Sequence, residues 1–330
     1  MKKVLIFTNG EPIGEGILKL PIVGQLKKRF PNYEIHWMTD RGLCIYKSRL
    51  KKYTDQFIDT IWEQAELSPF FWSKISKKYN LENQYFDIVI DTQKAVARTI
   101  ALKRLNSKIF ISSSANWIFS DIKPKVIHKK RRFYVRNILD MLDLVSEKIE
   151  ENFIKLPIPE RILSKISPIF KNENKIYLGI APGSNTPARI WDIKNYIAVA
   201  KHFEKKGAVI IFFLGPIEKH LRPIILREID NPIFPEEINS DLEGIDVVMA
   251  STKFLNCAIA NDSGVSQILS TNYCPLIKII GPTQGPKFIN DTYNNVDYIE
   301  SKDFGGSDVN LVPIKEVIKK VEEKIGDFKR

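Results

Sequence analysis

Short runs of β-branched and aromatic residues recur along this chain, each followed by a longer amphipathic stretch, and the whole alternation happens twice. KVLIFT (3–8), EIHWMT (34–39), FDIVIDT (86–92) and KIFISS (108–113) have the composition of strands, and GILKLPIVGQLKKRF (16–30) carries its apolar residues at helical spacing. Strands alternating with helices predict βαβ units around a parallel sheet. Pro21 is a misfit inside that first helix and predicts a kink or a later start. A helical pattern over 133–154 then runs into Pro157, Pro159 and Pro168, a stretch that reads as a connection between domains. The alternation restarts with IYLGIAPGS (176–184), a strand entering a loop, and WDIKNYIAVAKHFEKKG (191–207), a helix closed by Gly207. AVIIFFLGP (208–216) reads as a buried strand, VVMAST (247–252) as helix, and FLNCAIAND (254–262) and PLIKIIGPT (275–283) as strands; PIKEVIKKVEEKI (313–325) is an amphipathic helix.

A chain of 330 residues suits two such domains. The fold class expected is therefore α/β, with two tandem Rossmann-like doubly wound domains facing a cleft. Their expected extents are 1–165 and 166–330, the terminal helix being free to pack back on the first. In open α/β sheets ligands bind beyond the carboxyl ends of the strands, so the loops that follow the strands are where chemistry is sought.

Composition excludes more than it selects. No apolar run reaches the ~18–20 residues that span a bilayer, and Val4–Phe7 is too short for a signal-peptide core. Cys44, Cys257 and Cys274 are scattered and odd in number, which predicts buried free thiols, and the four histidines lie far apart, so neither type suggests a metal site. Lys and Arg exceed Asp and Glu by 50 to 39, a net charge of +11. That excess favours an anionic partner: nucleic acid, an acidic membrane surface or a phosphorylated substrate.

Several loops carry residues with chemical use. In NDSGVSQ (261–267), Gly264 permits close backbone approach, the amides of a new helix turn favour an anion, and a carboxylate at Asp262 suits a sugar hydroxyl; Asp262 or Ser263 also reads as an ordinary N-cap. In APGSNTPARIWD (181–192), Ser184 and Asn185 offer donors and Arg189 a planar fork for phosphate oxygens, or the stretch is a polar loop with a solvated arginine. Glu218, just past a buried strand, suits the two hydroxyls of a ribose, or is a glutamate favoured by a helix dipole. The loop TNGEPIGEG (8–16) holds Glu11 and Glu15, either a general base facing the cleft or helix N-terminal residues. Its glycines sit at 10, 14 and 16, which is not the dinucleotide fingerprint, and no Walker A sequence occurs. KPKVIHKKRRFYVR (123–136) is strongly basic and reads as a nucleic-acid patch, a dock for an acidic acceptor, or a solvated charge run.

Taken in order, these phrases resemble glycosyltransferase family 9, the heptosyltransferases of lipopolysaccharide core assembly. LIFTNGEPIGEGILKLP stands for the family's opening strand, Gly-Asp and apolar helix, and FDIVIDTQKAVART for its D-x-Q-G phrase. Pro182-Gly183-Ser184 through Arg189-Ile190-Trp191 stands for PG(A/S)…K-x-W, and NDSGVSQILSTNYCPLIKIIGPT for its closing DTG…GPT. The resemblance implies a GT-B fold and metal-independent, inverting transfer without a cofactor. A sugar would pass from a nucleotide-sugar, typically ADP-heptose, on the second domain to an anionic glycolipid acceptor on the first. It implies Glu15 as catalytic base, Ser184, Asn185, Arg189, Asp262, Ser263 and Gly264 around the donor diphosphate and sugar, and Glu218 on the ribose. Arg98, Lys130 and Arg131 would face the acceptor. The implied setting is cytoplasmic, at the cytoplasmic face of the inner membrane through a peripheral contact, with no nucleic-acid partner. Glu15 stands in place of aspartate, Arg189 of lysine, Gln267 of histidine and Lys94 of glycine, so the alternative expectation is a non-catalytic nucleotide-sugar-binding relative.

Overall fold

The computed structural model describes residues 1–125, 134–147, 149, 156–271, 274–282 and 295–327. The chain divides into two compact units, Met1–Ile154 and Lys155–Arg330. The division falls earlier than the expected 165/166 because the helix Glu160–Ile166 packs against Gly244–Ser251 of the second unit.

The first unit is a five-stranded parallel sheet of β1 (Lys2–Thr8), β2 (Tyr33–Thr39), β3 (Thr60–Trp62), β4 (Tyr85–Asp91) and β5 (Asn106–Ser112). The spatial order is β3-β2-β1-β4-β5, the Rossmann order, with its reversal between β1 and β4. Four of these strands follow the sequence expectation; β3 was not foreseen. Its helices are α1 (Ile13–Arg29), α2 (Lys51–Thr54), α3 (Val96–Lys103) and α4 (Tyr134–Leu142). α1 starts at Ile13 and runs on through Pro21, so the proline does not mark its start. Its residues from Gly16 to Leu26 are all buried, so tertiary packing holds the helix where one backbone hydrogen bond is lost. The helical pattern expected over 133–154 yields α4, which packs on α1 and is tied to it by Arg29 Nη1 on Asp143 Oδ1 at 2.6 Å.

The second unit has β6 (Tyr177–Ala181), β7 (Val209–Phe212), β8 (Cys257–Asn261), β9 (Leu276–Ile280) and β10 (Val296–Glu300), all parallel. Their order, β10-β9-β8-β6-β7, is the flavodoxin-like arrangement, with its reversal between β6 and β8. Its helices are α5 (Glu160–Ile166), α6 (Ile193–Glu204), α7 (Arg222–Glu228), α8 (Pro235–Ile238), α9 (Gly244–Ser251), α10 (Gly264–Leu269) and α11 (Ile314–Asp327). β6, β8 and β9 are buried at every residue, as central parallel strands covered on both faces must be. The core joins Leu178, Ile180, Phe212 and Ile259 of the sheet to Trp191, Tyr196, Val317 and Val321. Val317 and Val321 lie on α11, so apolar residues of the terminal helix take part in this unit's core. Cys44, Cys257 and Cys274 are free and buried, as expected, and burial pushes the Cys44 and Cys257 thiols up to about 12.

Candidate active site

Register puts the carboxyl ends of β6 and β8 side by side, with Ala181 opposite Ala260 across the reversal of strand order. The next residues, Pro182-Gly183 and Asn261-Asp262, therefore emerge together, and Asn261 fixes how. Its buried Nδ2 donates to Pro182 O at 2.6 Å, while its Oδ1 accepts from Trp191 N at 3.0 Å and from the Tyr196 hydroxyl at 2.9 Å. One side chain thus ties down both ends of the loop 182–191, and every bond it makes is buried, where hydrogen bonds are most directive. Trp191 is fixed again by its Nε1, which donates to Val312 O at 3.2 Å.

Inside that frame, Arg189 Nη1 lies 3.9 Å from Asp262 Oδ2. Asp262 Oδ1 meets Lys278 Nζ at 3.2 Å, and Lys278 is fully buried on β9. Burial pulls the Lys278 ammonium below the usual lysine range; Asp262 pulls it back up, and Arg189 adds to the lowering. Asp262, expected to meet a sugar hydroxyl, is thus already the counter-ion of a lysine outside the candidate residues read from the sequence. Ser263 caps α10: its N–H donates to Ser266 Oγ at 3.2 Å, and that hydroxyl donates to Ser263 O at 2.7 Å. A Cβ placed on Gly264 would meet no atom of the described residues within 4 Å.

Glu218 closes the other side of the loop. Its Oε1 would be 2.5 Å from a Cβ on Gly183 and its Oε2 2.7 Å from one on Gly215, so a side chain at either glycine would make the carboxylate between them move. Ser184 is half-buried and its Oγ accepts from Thr186 N at 3.3 Å, whereas Asn185 is exposed. Six of the seven donor-side residues expected from the sequence accordingly share one loop cluster at the carboxyl edge of β6, β7 and β8, with Asn185 at its exposed rim.

The first unit places its own candidates. Beyond β1 the chain turns at Gly10, whose φ is +132° and where a Cβ would fall 2.5 Å from Gly42 Cα, so no side chain fits. Glu11 is then buried, its Oε1 accepting from Trp37 Nε1 at 3.1 Å and facing Lys19 Nζ at 3.4 Å. Glu15, in the first turn of α1, is exposed, and no described residue pairs with its carboxylate. The two glutamates that the sequence leaves equivalent are hence separated into an internal strut and a solvent-facing carboxylate. At the β4 end, Asp91 is buried, accepts from Thr99 Oγ1 at 2.7 Å and Ser112 Oγ at 2.9 Å, and is pushed up by burial. Arg98 pairs with the buried Asp40 at 2.8 Å. Lys130 and Arg131 lie outside the described residues.

Residues 75–305 match the sequence profile of glycosyltransferase family 9 (heptosyltransferase). No curated protein sequence matches the chain significantly. Among solved structures, a family 9 glycosyl transferase from Veillonella parvula superposes with a TM-score of 0.71 at 17% identity, over 99% of this chain and 97% of that one. The Escherichia coli ADP-heptose lipopolysaccharide heptosyltransferase II gives 0.65 at 14% identity over the whole of both chains. The E. coli heptosyltransferase WaaC with ADP gives 0.64 at 13% identity, over 98% and 99%. These likenesses carry the GT-B fold of two Rossmann-like domains, and the profile, spanning most of the chain, carries the family. This protein is a glycosyltransferase and belongs to glycosyltransferase family 9, the heptosyltransferase family.

Proposed function

We propose that this protein is an inverting, metal-independent transferase that moves a heptose-like sugar from ADP-heptose to an anionic glycolipid, a lipopolysaccharide core or related surface glycan, at the cytoplasmic face of the inner membrane. The observation that carries the donor half is the loop 182–191, held by Asn261 between Glu218 on one side and Arg189 with Asp262 on the other. A nucleoside diphosphate sugar asks for that combination: a carboxylate for the ribose hydroxyls, and a guanidinium with hydroxyl and amide donors for the diphosphate. The WaaC structure with ADP supports adenine as the base.

In the proposed step Glu15 takes the proton from the acceptor hydroxyl as its oxygen bonds to the anomeric carbon. The bond from that carbon to the β-phosphate oxygen breaks on the opposite face, which inverts the centre. Arg189, Ser184 and Asn185 receive the charge that builds on the departing diphosphate. Asp262 holds Lys278 and Arg189 beside the same turn, keeping the cationic charge in place before the donor arrives. No cofactor is needed for this exchange.

Calorimetric titration with ADP, GDP, UDP and CMP tests the donor half. ADP is expected to bind selectively, and Arg189→Ala and Glu218→Ala are each expected to weaken it by about 10- to 100-fold, the loss of one charge-assisted hydrogen bond. Selective binding of another nucleotide would move the donor away from ADP-heptose, and silence from all four would remove the donor site. Gly183→Ala is expected to mimic Glu218→Ala without removing the carboxylate, because the new methyl displaces it; unchanged ADP affinity there would take Glu218 off the ribose.

A further inference from the structure

Just before the family match, the first unit exposes three consecutive aromatic side chains: Phe70 at 53%, Phe71 at 84% and Trp72 at 72% of their full exposure. They sit at the tip of a turn that is not loose. Ser68 N donates to Ile75 O at 2.9 Å, Ser73 N to Phe70 O at 3.1 Å, and Ser73 Oγ to Ser68 Oγ at 2.6 Å. From α3 and its end, Arg104 reaches both legs of the turn, its guanidinium donating to Ser68 O and to Ser73 O. The rings brace each other, Phe70 stacked on Trp72 at 5.0 Å and Phe71 edge-on to it at 4.8 Å. Such a tip presents a preformed apolar wedge to solvent, which a water-facing loop has no reason to keep.

Cations surround it. Lys74 and Lys77 are exposed on the returning leg. Lys77, Arg41 and Arg98 line an open pocket of about 610 Å³ that Ser68, Pro69, Phe70 and Ser73 also line, with Glu66 the acidic member. Aromatic rings beside lysine and arginine suit the boundary of an anionic bilayer, where rings enter the acyl edge and cations meet the headgroups. A protein partner would be served by the rings alone; the flanking charge selects the lipid surface.

We propose that Phe70-Phe71-Trp72 is a membrane anchor that seats the first unit on anionic phospholipid, with Lys74 and Lys77 against the headgroups. It deepens the proposed acceptor side, since a lipid-linked acceptor lies at that surface, but its test needs neither donor nor acceptor. No helix among the described residues is long and apolar enough to cross a membrane, so attachment through this wedge would be peripheral.

The full-length protein is sedimented with vesicles of phosphatidylcholine alone and of phosphatidylcholine with phosphatidylglycerol at about two to one. Wild type is expected to partition onto the phosphatidylglycerol vesicles, and about tenfold less onto phosphatidylcholine or in strong salt, which screens the headgroup attraction. Phe71→Ser/Trp72→Ser is expected to reduce partitioning at least about tenfold, the lost burial of two rings, and Lys74→Gln/Lys77→Gln severalfold. Both variants should keep the wild-type melting temperature and ADP affinity, because the replaced side chains are exposed and lie in the other unit from the donor cluster. Wild type that ignores phosphatidylglycerol vesicles overturns the proposal, as does a Phe71→Ser/Trp72→Ser protein that binds them unchanged. A wild-type dimer in solution that this double variant abolishes, without vesicle binding, would assign the wedge to a second copy instead. Loss of vesicle binding with ADP affinity intact would leave the donor site standing, and the reverse result would leave the anchor standing.

Discussion

Replacing Glu15 by glutamine is expected to lower kcat by about 10²- to 10⁴-fold, the usual contribution of a positioned general base, with ADP affinity within about twofold of wild type. Glu15 stands in the first turn of α1, which follows β1, and open α/β sheets receive ligands beyond the carboxyl ends of their strands. It is exposed and has no described partner, so the amide replaces it without leaving a buried group unpaired. Glu11→Gln is the control. Glu11 holds Trp37 and faces Lys19 inside the unit, so its loss should appear in the melting temperature before it appears in kcat. Glu15→Asp, which restores the family's residue, is expected to keep much of the activity if the backbone tolerates the shorter reach. The measurement is acceptor-dependent release of ADP. Full turnover by Glu15→Gln would put the base elsewhere, and absence of turnover in wild type with every donor and acceptor pair would favour the non-catalytic relative.

What the sequence made legible follows burial. The central strands β1, β4, β6, β8 and β9 are apolar at most of their positions, so their existence is readable, although FLNCAIAND starts three residues before β8 and PLIKIIGPT runs three residues past β9. The edge strands β3 and β10 were not, because TIW is short and VDYIE mixes half-buried polar residues with apolar ones. Pro21 misled for a related reason: local propensity opposes a helix that tertiary burial enforces. The donor-side loops were found because glycine, hydroxyl and charge cluster at strand ends. The role of Asn261 is not legible, since nothing in a sequence reveals that one amide bonds Pro182 and Trp191 at once. The Glu11 and Glu15 distinction is likewise a matter of which side of α1's start faces the core. The family profile begins at residue 75, so the role proposed for Glu15 rests on the order of motifs and on its place in the first turn of α1.

Lys278 carries its signal in the sequence. A lysine in the middle of PLIKIIG, inside a strand buried at every position, demands a buried counter-charge. Lys278→Met is therefore expected to destabilise the second unit by about 2–4 kcal/mol, somewhat under the cost of orphaning a fully buried ion, because Arg189 remains 3.9 Å from Asp262. Asp262→Asn should be destabilising too, and with a distinctive pH dependence. The folded-state pKa of Lys278 is already lowered by burial, and losing Asp262 lowers it further. The unfolded chain then binds more protons than the folded one between that depressed value and the ordinary lysine range, so stability rises as pH rises through this window. Calorimetric melting at pH 7 and pH 9.5 should show Asp262→Asn recovering at the higher pH more than wild type does. The double variant Lys278→Met/Asp262→Asn removes both charges and should regain most of the stability at either pH. Its ADP affinity then separates two roles for Asp262: a stable double variant that binds ADP normally would make the pair purely structural, and one that folds but binds weakly would show that the buried pair sets the charge of the turn the donor meets.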